Sequence, residues 1–155
     1  MPRFSEPQWV RVDSLKSDPA TAPKSDETLL RLIREAVEGK VHVYLAILPL
    51  ARCVPFDLDY SPDVHPAIAA LTEATAKQLA EKPPSMLVYP RGQSFVVSDD
   101  YPTLFAYMRS EWTHVAAVVL GEPGGAGVQI VRGPLSTEEA KAAIFGGVVG
   151  ESETD

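Results

Sequence analysis

Apolar and polar residues alternate from Trp9 to Leu15 in WVRVDSL, the period of a strand with one buried face. A loop rich in Pro, Ser and Asp follows (KSDPATAPKS), and then the period changes. Leu29, Leu30, Leu32, Ile33, Ala36 and Val37 recur at helical spacing. Ser25 reads as the N-cap of this helix, with Asp26 and Glu27 at the positive end of its dipole. Gly39 reads as the residue just past its end. VHVYLAILPL (Val41 to Leu50) is apolar on both faces, as in a strand inside a sheet. ARCVPFDLDYSPDV is a turn-rich connection to a second helix, HPAIAALTEATAKQLAEK, which begins at Pro66 and is stopped by Pro83-Pro84.

The second half is more regular. SMLVYP and SFVVS read as two strands paired through a tight turn at Arg91-Gly92-Gln93. YPTLFAYMRSEW reads as a helix and HVAAVVLGE as a buried strand. The Gly-rich GEPGGAG (Gly121 to Gly127) reads as a hairpin turn, so the short strand VQIVRG is expected antiparallel to its predecessor. Ser136 and Glu139 have the spacing of a capping box for a last helix, ended by Gly146-Gly147. The pattern predicts a mixed α/β (α+β) fold: one globular domain over 1–147, a small mixed sheet of five or six strands, four helices, and an acidic tail over 148–155.

Composition narrows the function classes. A chain of 155 residues, 45% hydrophobic and 23% charged, can bury an adequate core as one domain. Its single cysteine, Cys53, allows no internal disulfide and fits a reducing, cytoplasmic setting. Arg52 beside it would lower the thiol pKa if the two side chains met. No segment is long and apolar enough for a membrane span, and MPRFSEPQWV lacks the apolar core of a signal peptide. The net charge of −7 disfavours nucleic acid. Arg31 and Arg34 share their helix with Glu27, Glu35 and Glu38, the composition of a solvated face rather than a basic stripe. An acidic protein is better matched to a protein partner of basic character.

Chemistry-bearing residues concentrate in two places. In FVVSDDYPTLFAYM an apolar run stops at Ser98-Asp99-Asp100-Tyr101, where a strand hands over to a helix. Two readings fit: a helix cap, in which Asp99 or Asp100 accepts from first-turn N–H groups, or a candidate binding turn. In DLDYSPDVH, Asp57, Asp59, Asp63 and His65 offer oxygen and imidazole ligands to a divalent metal. That spacing lacks the central Gly and final Glu of a Ca²⁺ loop and also suits a connection whose aspartates make turns. GEPGGAG lacks the Lys-Ser/Thr of a phosphate-binding loop, and no Ser-His-Asp or Cys-His signature is present. His42 and His114 read as packed or surface histidines. Most aromatic residues sit at packing positions, with Tyr101 and Tyr107 the two expected at the surface.

The stretch LAEKPPSMLVYPRGQSFVVSDDYPTLFAYMRSEWTHVAAVVLG, Leu79 to Gly121, sets out helix, strand, tight turn, strand, acidic turn, helix, strand. This layout resembles the core of the ParB-like (ParB/sulfiredoxin) fold, here about residues 65–122, with WVRVDSL and the 29–37 helix as its leading elements. Nuclease and nucleotide-using members carry a Gly-Glu/Asp-Arg-Arg or Asp-Gly-His-His-Arg type signature after the second strand. In this chain Ser98-Asp99-Asp100-Tyr101 stands there, with no Gly, Arg or His. Two carboxylates at that point oppose a phosphate unless a divalent metal supplies the positive charge. The resemblance therefore implies a degenerate scaffold: an interaction or regulatory protein without catalysis or cofactor. The alternative is a metal-dependent nucleotide-binding or phosphate-ester-processing enzyme that uses Asp99 and Asp100.

Overall fold

The computed structural model describes residues 25–58, 84–110 and 112–145. The expected strand at 9–15, helix at 66–82, Gly-Gly helix end and acidic tail lie outside the described residues. The described part is a mixed α/β fold with a six-stranded mixed sheet. Its strands are β1 (Val43–Pro49), β2 (Cys53–Pro55), β3 (Met86–Arg91), β4 (Ser94–Val97), β5 (His114–Leu120) and β6 (Gln129–Arg132). The described helices are α1 (Glu27–Val37), α2 (Tyr101–Arg109) and α3 (Thr137–Ile144).

The N-cap of α1 is Asp26, not Ser25. One carboxylate oxygen of Asp26 accepts from Thr28 N at 3.0 Å and Leu29 N at 3.2 Å. The other accepts from the Tyr89 hydroxyl at 2.8 Å. This cap wins because a carboxylate can satisfy the helix start and a strand side chain together, whereas Ser25 is exposed. At the other end Gly39, at φ +81°, closes a Schellman motif: Gly39 N donates to Ala36 O and Lys40 N to Glu35 O. The capping box of α3 forms as its spacing predicts. Ser136 Oγ accepts from Glu139 N, and the Glu139 carboxylate accepts from Ser136 N. Glu139 is also paired with Arg132 on β6. The Ser136 backbone bond is the largest of the influences that lower the Glu139 pKa.

The strand order is β2-β4-β3-β5-β1-β6. β3 and β4 form the expected hairpin around Gly92-Gln93, with Arg91 opposite Ser94 and Gly92 at φ +62°. β5 lies between β3, to which it is parallel, and β1, to which it is antiparallel. β2, within what the sequence presents as a loop, pairs parallel to β4.

The expected antiparallel pairing of β6 with β5 does not occur; β6 pairs antiparallel with β1. Both edges of β5 are already taken, so β6 finds the free edge of β1. It then runs parallel to β5, and parallel strands cannot be joined by a hairpin. Gly121–Gly127 is accordingly a crossover along β1, not a hairpin turn. Gly121 N donates to His42 O, before β1 begins, and a Cβ on Gly127 would meet Pro49, where β1 ends.

The sheet is strongly curled. β1 and β2 stand four places apart in the strand order, which in a flat sheet is about 19 Å. The chain from Pro49 to Cys53 can reach at most about 14 Å. The sides therefore close toward each other, and Cys53 Sγ lies 3.7 Å from Pro49 O. Arg52 fastens this closure: Nε donates to Gln93 O at 2.9 Å, Nη1 donates to Ala126 O at 3.3 Å, and the guanidinium lies 4.7 Å over the Phe95 ring. Cys53, Phe95, Tyr44, Leu48, Val88 and Val119 share the core on the concave side with Leu104 and Tyr107 of α2. Leu29 and Ala36 of α1 and Ala140 and Ile144 of α3 cover the other face against Val43, Leu87, Val96 and Val118.

Candidate functional site

β2 and β4 are parallel neighbours, and their C-terminal ends carry the two clusters that the sequence singles out. Asp57 follows β2, and Ser98 to Tyr101 follow β4. Sites in α/β sheets commonly sit outside such strand ends. The structure brings one residue of each cluster together: Asp57 N donates to the Tyr101 hydroxyl at 2.9 Å. Asp59, Asp63 and His65 lie outside the described residues. Among the described residues no three His, Cys, Asp or Glu side chains are grouped to hold a metal.

Asp100 occupies the N-cap position of α2, but its side chain makes no cap hydrogen bond. It is buried, and Oδ2 accepts from Leu87 N at 2.8 Å. For Asp100 the expected capping role is replaced by a cross-link from the helix start to β3. The hairpin explains the choice. Continuing the Val88–Val97 register puts Ser98 opposite Leu87, so the chain leaving β4 passes beside the Leu87 amide. A buried carboxylate gains more from a backbone N–H inside the fold than from a helix end shared with water.

Tyr101 and Tyr107, expected at the surface, are buried at 1% and 0% exposure. Tyr101 begins α2 with its ring centroid 6.1 Å from that of Phe105. The Tyr107 hydroxyl donates to Pro84 O, and its ring meets Trp112 edge-on at 5.5 Å. Helical spacing from Leu104 could place Tyr107 inside, but only the curl of the sheet supplies a concave core for it to enter. Ser98 is buried too, and its hydroxyl and that of Ser85 have no hydrogen-bond partner. Those hydroxyls are closed off from solvent, and of Ser98 to Tyr101 only Asp99 is half-buried rather than buried.

Cys53 is buried, and desolvation pushes its thiol up to about 12 against a smaller lowering influence of Arg52. The neighbouring guanidinium is aimed at carbonyl oxygens and the Phe95 ring, which leaves Cys53 a packing group rather than a nucleophile. His42 is exposed, 3.8 Å from a Glu122 carboxylate that also accepts from the Tyr44 hydroxyl at 2.8 Å. His114 is half-buried with Nδ1 at 3.0 Å from Thr113 Oγ1.

These features define a class: a mixed α/β protein whose curled sheet closes over α2 and whose acidic strand-end turn is built into the fold. Among the described residues no helix is long and apolar enough to cross a membrane. No protein-family model, curated protein or solved structure matches the chain.

Proposed function

We propose that this chain is a small cytosolic interaction or regulatory protein on a degenerate ParB-like scaffold, with no catalysis of its own. One observation carries the reading. The carboxylate of Asp100 is buried and bonded to Leu87 N, and the Tyr101 hydroxyl is bonded to Asp57 N. The turn that would process a phosphate ester is engaged as a structural joint. The strand, turn, strand, helix, strand succession from β3 to β5 supports the scaffold, since it keeps the ParB-like order while the catalytic residue types are absent. The net charge of −7 favours a protein partner with a basic surface over nucleic acid.

The competing reading, a metal-dependent nucleotide enzyme acting through Asp99 and Asp100, makes a different prediction. Thermal unfolding with Mg²⁺, Mn²⁺ or Zn²⁺, each with and without ATP or CTP, is expected to leave the melting temperature unchanged. A saturable, metal-dependent rise that disappears in Asp99→Asn would overturn the proposal, because only a ligand bound to the native state raises it in that manner.

A further inference from the structure

A cavity of about 530 Å³ opens where the link between β1 and β2 meets the end of α2. Its described lining is Leu50, Ala51, Cys53, Met108, Trp112 and Thr113. The curl of the sheet creates it. The tight 3-10 turn at Leu50–Arg52 is brought against the residues between α2 and β5, where Leu50 N donates to Thr113 O at 2.9 Å. Cys53 and Trp112 form a buried floor, while Ala51 and Met108 stand exposed at the rim.

We infer that this cavity is a binding site for a small, uncharged aromatic molecule. The volume falls within the range of small-ligand pockets, about 300–1,000 Å³. The six described lining residues fall well short of a protein interface, which takes about 20–30 a side. None of the described lining residues is charged, and the guanidinium of Arg52, which follows Ala51, is turned to the carbonyls of Gln93 and Ala126. An anion would be desolvated against these residues without a counter-charge from any of them. The indole of Trp112 and the thioether of Met108 suit the faces and edges of a flat ring. The Thr113 hydroxyl, already within hydrogen-bond distance of His114 Nδ1, offers one polar contact at the margin. Cys53, buried at the floor within the core, offers the ligand an apolar packing contact.

The test uses the full chain with 1-naphthol and indole as neutral probes and 1-naphthalenesulfonate as the charged counterpart. Saturable one-to-one binding of 1-naphthol is expected, with the sulfonate at least tenfold weaker. In ¹⁵N-resolved spectra the Trp112 indole signal should move and the Trp9 signal should not, with Trp9→Phe separating the two. Met108→Glu, a charge placed on an exposed rim position, should weaken 1-naphthol at least tenfold while the unfolding midpoint is kept. Ala51→Trp, which fills the mouth from another exposed position, should abolish binding and carries the test if Met108→Glu fails to fold. The inference is overturned if neither neutral probe saturates, if the sulfonate binds as well as the naphthol, or if Ala51→Trp leaves binding intact.

Discussion

Asp100→Ala should destabilise the fold by about 2–4 kcal/mol. Leu87 is fully buried in β3, a strand with neighbours on both sides, and its amide donates to Asp100 Oδ2 at 2.8 Å. Loss of a hydrogen bond to a charged group costs about 1.5–3 kcal/mol, and leaving a buried N–H without an acceptor costs about 1–3 kcal/mol. The two figures overlap, because the same amide is counted in each, so the total stays below their sum. Asp100→Asn keeps the shape and one acceptor oxygen, and should cost about 1 kcal/mol or less, the difference between a charged and a neutral acceptor. Urea unfolding at constant slope measures both changes as midpoint shifts. Amide exchange at Leu87 supplies the local readout: the alanine variant should lose protection there before its neighbours Val88 and Val97 do. The account is refuted if Asp100→Ala stays within about 0.5 kcal/mol of wild type with Leu87 as protected as before. An Asn variant that stays folded yet loses all partner binding would return the turn to the status of a site.

Three further outcomes follow from the same geometry. A double-mutant cycle between Asp26→Ala and Tyr89→Phe should show a coupling of about 1–2 kcal/mol, since each removes the same buried hydrogen bond; additivity within about 0.3 kcal/mol would mean that the pair does not form in solution. Alkaline pH should unfold the protein. Burial, ahead of the Asp26 bond, pushes the Tyr89 hydroxyl up to about 12, burial alone raises Cys53 to about 12, and Tyr107 is raised as well. A raised folded pKa favours the protonated form. This stability is therefore complete below the unfolded values near 9–10 and is lost as pH climbs toward 12. A urea midpoint that is flat from pH 8 to 11.5 would contradict it. Ser136→Ala should cost about 1 kcal/mol through loss of the capping box, and an unchanged midpoint would mean that the box adds nothing beyond the packing of α3.

The features fixed by the sequence alone are those whose partners lie a few residues away. The apolar stripe of α1 (the exposed Leu30 aside), its end at Gly39, the hairpin around Gly92 and the Ser136–Glu139 box each rest on neighbours no more than five positions apart. Even there, Asp26 displaced Ser25 as the cap because Tyr89, a residue distant in sequence, uses its second oxygen. The location of the acidic turn at a strand-to-helix junction was also legible, from the stop in the apolar run at Ser98. Its role was not. Only the hairpin register brings Asp100 to the Leu87 amide, and only the short β2 brings Asp57 N to the Tyr101 hydroxyl. The crossover of Gly121–Gly127, the docking of β6 on β1, the burial of Tyr107 and the cavity floored by Cys53 and Trp112 all depend on strand order and curl. Local propensity and period state which residues are extended or helical, but a strand carries no record of which free edge it will meet. That choice is made by which edges remain open and which apolar faces remain uncovered once the rest of the chain has packed.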